Sequence, residues 1–372
     1  MKYAFLSISI SLFSLISHAQ TSLYPVQIKG KWGFTNAAGK LTIAAQYDYA
    51  ENFYNGRAVV ALNNQPCAID ENNNRIIDTG LYINIQRFSE GLSKVTNVKL
   101  QQFFVDVNGK KVCDVPADVY DARPFKNNLS GIAKKVDIHE TKFNNDIVNL
   151  GYKFGYMNKS GAEVVPCKFD DADDFDNGFA RVRVDKKFGV IDTLGNEVVK
   201  PLYFNIGKFI EGKTWVDVGG NFGYINTKGD VIIKPIYQYA YDFSEGLAGI
   251  RLENKYGFID ETGKIVVTPQ YEAIRPFSQG LAAVKLNGKW GFIDKTGTLK
   301  MRFVFDNAML FVNDRCAVQV KRKWGFIDAT GALAIPAEFD AVGTFSDGIA
   351  EVMIGQVNVY VNKQGLIIPQ LK

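Results

Sequence analysis

Histidine is almost missing from this chain: two of 372 residues, His18 and His139. Any Ser-His-Asp or Cys-His arrangement would have to use His139 alone, because His18 falls in a stretch that reads as a removable leader. Cysteine is nearly as scarce. Cys67, Cys113, Cys167 and Cys316 take different positions in the pattern described below, with no C-x-x-C pair, which argues against a zinc site and leaves disulfide pairing unreadable. Charge of one sign is also lacking: the formal net charge is only +4, without the footprint of a nucleic-acid binder. Beyond the N-terminus there is no apolar run of membrane length. Nor does any Gly-rich phosphate loop follow a strand and open a helix.

The N-terminus has the layout of a secretory signal peptide. Lys2 is followed by an apolar, serine-rich stretch from Ala4 to Ile16, and Ser17-His18-Ala19 supplies small residues at −3 and −1 before Gln20. Cleavage is therefore expected between Ala19 and Gln20, with residues 1–19 lost. Loss of Lys2 takes the net charge from +4 to +3. The mature chain is expected to be secreted or otherwise extracytoplasmic (periplasm, outer envelope or medium) and to carry no transmembrane segment.

What is abundant is aromatic side chains, 13% of the chain, and they are periodic. Phe154, Phe188, Phe222, Tyr256, Trp290 and Trp324 fill one slot at a spacing of 34 residues, and Trp32 heads an earlier unit. A period of this size signals a repeat architecture. Gly follows the slot each time, and Asp or Asn lies four residues after it, as in Lys289-Trp290-Gly291-Phe292-Ile293-Asp294. Degenerate units begin near Pro66 and Gln102, and a half-unit runs from Val359 to Pro369.

Each unit reads as three short strands. Residues 280–286 form the first, Asn287-Gly288 the hairpin turn, Lys289 to Asp294 the second, and the segment after Gly297 the third. The turn Asp260-Glu261-Thr262-Gly263 puts a hydrogen-bonding side chain first and a glycine fourth. Asp192, Asn226, Asp294, Asp328 and Asn158 share that first position, and Asp and Asn exchange freely there. A turn cap tolerates that exchange, whereas a catalytic carboxylate does not. Pro201, Pro235, Pro269 and Pro336 are expected to end the third strand. A Phe follows in all nine full units, including Phe243, Phe277 and Phe345. The slot rings and these phenylalanines are assigned to the repeat core, since each buries a large apolar area. The glycine after the slot removes a side chain so that a neighbouring ring or backbone can come close. The repeated Lys before the slot reads as an exposed strand-entry residue.

The matching positions resemble the WG repeat family, also called KWG repeats, over about residues 24–369. The resemblance includes the stretch Phe243 to Ala248 and weakens in the second and third units, where the Trp-Gly pair is missing. It implies β-rich repeats with a binding or scaffolding role and brings no catalytic motif.

Chemistry has few other places to reside. Residues 134–151, with His139, interrupt the period and read as a polar surface loop. They separate N-terminal units (residues 20–133, one clear and two degenerate) from the regular units of residues 152–372. Asp78-Thr79-Gly80 looks like an aspartic-protease tripeptide, but it occurs once, and that chemistry needs two carboxylates. Asp170, Asp171, Asp173, Asp174 and Asp176 are a candidate Ca²⁺ site by density of hard oxygen ligands, although their spacing is not that of an EF-hand. The alternative is a solvated acidic tip.

The chain is therefore expected to be all-β. Its tandem three-stranded meanders would form an open, elongated or superhelical array, with propeller-like closure as the alternative. The expected function is a non-enzymatic module, free of cofactor and metal, that binds a protein or cell-surface polymer through its variable loops. The alternative is an envelope protein that binds or processes glycans.

Overall fold

The computed structural model describes residues 23–36, 39–142, 145–346 and 348–368. The expected leader and its cleavage site lie outside these residues.

Every described element is a β-strand or a turn, and the strands form ten separate small antiparallel sheets, here called blades 1–10. Blade 1 has three strands (Leu23–Ile28, Lys31–Asn36, Leu41–Tyr47) and the other nine have four. Blade 8 shows the regular plan: strand a Ala273–Ile274, strand b Leu281–Leu286, strand c Lys289–Asp294 and strand d Leu299–Phe305, paired in chain order. Three strands per unit was thus one too few. The fourth, strand a, is usually only two residues long, as in Asp171–Ala172 and Asn205–Ile206. It lies in the segment that reads as loop.

Local chemistry fixes each junction. Seven of the b–c hairpins turn through two consecutive positive-φ residues, as at Asn287-Gly288 (50° and 76°) and Glu253-Asn254 (49° and 62°). These are type I′ turns, whose twist matches the strands they join. The a–b connection repeats the device at Glu245-Gly246 (55° and 82°). At seven of the nine junctions strand d of one blade runs into strand a of the next across a single residue, as at Glu272 between Tyr271 and Ala273, whereas four residues intervene between Ile77 and Tyr82 and between Asp114 and Val119. Each 34-residue sequence unit counted from its aromatic slot therefore holds strands c and d of one blade and strands a and b of the next.

The core lies between blades. Phe277, in the a–b loop of blade 8, is 1% exposed and packs on Phe258 of blade 7 with ring centroids 4.7 Å apart. The same pairing recurs as Phe34 with Phe53, Phe104 with Phe125, Tyr156 with Phe175, Tyr224 with Phe243 and Phe326 with Phe345, all at 4.6–4.9 Å. Offset ring pairs of this kind add to their area burial. Phe243, Phe277 and Phe345 are buried as expected. The slot rings are more peripheral. Trp290 is buried, whereas Trp32, Phe154, Phe188, Phe222, Tyr256 and Trp324 are half-buried. The deeper ring is the one two residues after the slot.

Hydrogen bonds follow the same route from blade to blade. The Ser244 hydroxyl donates to the Phe277 carbonyl at 2.7 Å, and Ser278 donates to Phe311 at 2.6 Å. The side chain at the first positive-φ position of one a–b turn accepts a backbone N–H from the next. Asn55 accepts from Gly91 at 3.2 Å, Glu90 from Asn128 at 2.9 Å, Asn127 from Gly178 at 3.0 Å, Glu211 from Gly246 at 3.0 Å, Glu245 from Gly280 at 3.0 Å and Gln279 from Asp314 at 3.1 Å. Sequence reasoning assigned these residues no role.

Of the two arrangements open to such units, the closed one is found. Tyr24 of blade 1 and Tyr360 of blade 10 approach to 6.0 Å between ring centroids, and residues of both blades line a common cleft. The blades thus form a ten-bladed, propeller-like ring. Strand a is what makes this possible, because it completes the four-stranded blade of a propeller.

Candidate functional site

The recurring Asp and Asn residues are turn caps. Asp260 Oδ1 accepts the backbone N–H groups of Thr262 (2.9 Å) and Lys264 (3.0 Å), and Asn226 Oδ1 accepts those of Lys228 (2.9 Å) and Asp230 (3.0 Å). Asp192, Asp294, Asp328 and Asn158 make the same pair of bonds. Threonine hydroxyls two residues on hold the Asp260, Asp294 and Asp328 carboxyls below the usual range. Both acceptors do the same work, which explains why Asp and Asn interchange.

The lysine before the slot has a partner seventeen residues later. Lys153 meets Asp170, Lys289 meets Asp306 and Lys323 meets Asp340, each at 2.5 Å, and Lys31 pairs with Asp48. The second oxygen of that carboxylate accepts a backbone N–H from the nearby b–c turn, as from Gly355 to Asp340 at 2.7 Å. The lysine is therefore a junction clamp as well as an exposed residue. In one unit the carboxylate is replaced by Phe204, and Lys187 lies over its ring.

The acidic tip divides its charges among separate cations. Asp170 pairs with Lys153 (2.5 Å), Asp171 with Arg183 (3.8 Å), Asp173 with Arg181 (2.9 Å), Asp174 with Arg123 (3.6 Å) and Asp176 with Lys208 (3.0 Å). No group of three or more metal-ligand side chains converges among the described residues. The Ca²⁺ candidate thus has no converged set of ligands among the described residues, although Asp173, Asp174 and Asp176 border one small recess.

The four cysteines are free. Cys67, Cys113 and Cys316 are buried and Cys167 is half-buried, and burial pushes the Cys167 and Cys316 thiols up to about 12. The 134–151 insertion is a hairpin, not a loop. Strands Leu129–Lys142 and Asn145–Asn158 pair along their whole length, with His139 opposite Val148. The alternation Lys135-Val136-Asp137-Ile138 was the available signal.

The aromatic–Gly pair has a backbone explanation. Opposite Gly257, strand d arches: Tyr256 pairs with Tyr271 and Phe258 with Val267, so four residues advance against two. A Cβ at Gly257 would stand 2.4 Å from the Val267 carbonyl oxygen and 2.7 Å from the Pro269 nitrogen. Gly33, Gly155, Gly189, Gly223, Gly291 and Gly325 face the equivalent carbonyl at 2.4–2.6 Å. The space is filled by the arch of strand d rather than by an indole. Pro201, Pro235, Pro269 and Pro336 lie within that arch instead of ending the strand. The model of the WG containing repeat matches residues 32–65, 154–188, 188–222, 222–256, 256–290, 290–324 and 324–357, more than half of the chain.

The chain belongs to the WG-repeat family.

No curated protein matches this WG-repeat chain. Among solved structures it is similar to BamB from Moraxella catarrhalis, with 11% identity, TM-score 0.35, and 84% of this chain and 92% of that one covered. It is also similar to the extracellular domain of a hybrid two-component system from B. thetaiotaomicron, with 11% identity, TM-score 0.32, and coverage of 89% and 59%. A third is PorZ, a surface component of the type-IX secretion system of Porphyromonas gingivalis, with 12% identity, TM-score 0.27, and coverage of 88% and 52%. The chain thus spans little more than half the length of the second and third.

The clefts of the described surface lie beside strand a and its neighbouring turns. One cleft of about 380 Å³ lies between blades 10, 1 and 2 and includes Tyr24, Tyr54, Glu71, Glu351 and Tyr360. A neighbouring one of about 370 Å³ adds Trp32, Tyr49, Glu51 and Arg87. A third, of about 690 Å³, lies beside the long hairpin between Leu100, residues 114–120 and Lys135. None of the described residues forms a helix long and apolar enough to cross a membrane.

Proposed function

We propose that this WG-repeat ring is an exported, non-catalytic module that binds a protein or a cell-surface polymer through the residues that differ between blades. One observation carries the reading: most residues recurring at the 34-residue spacing are engaged in holding the ring, while the exposed residues of the clefts vary from blade to blade. Phe277, Gly257, Asp260 and Lys289 pack, admit backbone, cap turns or clamp junctions. Tyr49, Asn52, Tyr54, Tyr120 and Thr344 are exposed and have no fixed counterpart in other units. Export is supported by the leader-like sequence of residues 1–19. The absence of catalysis is supported by the commitment of the recurring carboxylates to turns and junctions; the groove carboxylates Glu51, Glu71 and Glu351 are those the hydrolase assay has to exclude.

Capture of partners from the cell envelope by the immobilised mature protein, read by mass spectrometry, tests the reading. Reproducible partners lost on exchanging strand-a residues, but retained on exchanging outer strand-d residues, are expected. Turnover of peptidoglycan or another polysaccharide that one Asp or Glu substitution abolishes would overturn it. Exposed tyrosines at Tyr49 and Tyr120 favour a glycan as the second reading of the ligand.

A further inference from the structure

The boundary between blades 10 and 1 differs from every other in one respect: among the described residues no strand d leads across it into a strand a. Elsewhere one strand d feeds the next strand a and fixes their spacing, whereas here the two faces meet through side chains such as Tyr24 and Tyr360. The clefts of about 380 and 370 Å³ open beside this seam and share Asn52, Tyr54 and Tyr360. Each falls within the size range of a small-ligand site.

The lining has a definite chemistry. Flat faces come from Trp32, Tyr49, Tyr54 and Tyr360, with Tyr49 and Tyr54 exposed by 51% and 39%. Between them stand acceptors, Glu51, Glu71 and Glu351, and groups that both donate and accept, Asn52 and Thr344. A ligand suited to this groove has apolar faces that stack on rings and a rim of hydroxyls that donate to carboxylates. A pyranose has both. Three carboxylates face one cation, Arg87, whose guanidinium lies 5.3 Å from the centroid of the Tyr54 ring, so a sugar would stack on the opposite face of that ring and a cationic peptide is the competing occupant. Two clefts joined through shared residues suit several sugar units in a row better than one.

We infer that the seam groove binds a neutral oligosaccharide, stacked on Tyr49 and Tyr54 and held at its hydroxyls by Glu51 and Glu351. The inference rests on the binding-module reading and names its ligand class. It also assigns the seam a purpose: a groove spanning three blades forms only when the ring is shut.

The test uses the full mature chain. A glycan array is followed by calorimetry with chitotetraose, cellotetraose, maltotetraose and a lysine-rich peptide. Tyr54→Ala and Tyr49→Ala are compared with Tyr239→Ala, an exposed ring at the position equivalent to Tyr49 in another blade. Cooperative thermal melts establish folding in all three variants. The expected result is saccharide binding that weakens at least tenfold in the first two variants and is unaltered in the third. Failure of every saccharide to bind, binding of the peptide alone, or equal weakening by Tyr239→Ala would overturn the inference. If envelope capture still retains a protein through strand-a residues in that case, the module reading stands and only the saccharide assignment falls.

Discussion

Replacing Gly257 by alanine asks whether the signature glycine is there for the arch of strand d. The added Cβ would lie 2.4 Å from the Val267 carbonyl oxygen and 2.7 Å from the Pro269 nitrogen, both backbone atoms. Ordinary contact begins near 3.4 Å, so strand d would have to move by close to 1 Å. That strand carries Val267 and Tyr271 into the cluster with Phe258 and Phe277, so the shift spreads into the interface with blade 8. Overpacking of this kind costs roughly 1–3 kcal/mol, and a site where only backbone can yield belongs at or above the top of that range. Gly246→Ala is the control in the same blade. It has φ of +82° and nothing within 4 Å, so alanine there meets only left-handed strain, about 1–2 kcal/mol. For a ring that melts as one unit, the unfolding entropy of a chain this size is on the order of 0.7 kcal/mol/K, or roughly 1.4 °C per kcal/mol. Differential scanning calorimetry should then place Gly257→Ala about 4 °C or more below wild type, with Gly246→Ala between the two. Equal melting of the two variants would refute the arch as the reason for the glycine.

Phe277→Ala should cost roughly 3–5 kcal/mol by opening a cavity against Phe258, while Tyr239→Ala, which loses only partly exposed ring contacts with Phe222 and Tyr241, should cost clearly less; denaturant titration compares them. Lys321-Arg322 hold a type I′ turn at φ of 50° and 67°, so their joint replacement by Asn-Gly should raise the melting temperature by relieving about 1–2 kcal/mol of strain. The folded Asp294 carboxyl is depressed by Thr296 and Lys300. Its contribution is therefore complete above the unfolded pKa of about 3.9 and is lost as pH falls through the lower folded value. Asp294→Asn should flatten the acid limb of stability below about pH 4 while keeping the turn, and urea melts at pH 7 and pH 3 read the difference. Thiol titration with a disulfide reagent at pH 8 should find Cys316 silent in the native ring and reactive once it is unfolded.

Much of the blade was legible in the sequence. The 34-residue spacing of Phe188, Phe222 and Tyr256 gave the repeat, Asn287-Gly288 gave a hairpin, and the exchange of Asp260 with Asn226 identified a cap rather than a catalyst. Strand a was not legible, because two paired residues such as Asp171–Ala172 are too few to show alternation. Pro269 misled for a related reason: a proline usually stops a ladder, but within an arch its nitrogen owes no bond. Closure was out of reach, since it depends on the angle accumulated over ten interfaces and no single unit encodes it. The candidate site follows from closure, so Tyr54 and Glu351, nearly 300 positions apart in the sequence, could not be brought together by inspection.

The half-blade offset between sequence unit and sheet limits how such a molecule can vary. Duplicating or deleting 34 residues would exchange one complete wedge without cutting any sheet, so such an event is easy for the fold locally. Yet the ends of this ring meet only because the wedges sum to a full turn. A chain with one wedge more or fewer would have to strain every neighbour slightly or leave Tyr24 and Tyr360 apart. Copy number, which an open solenoid can let drift, is here fixed by circumference.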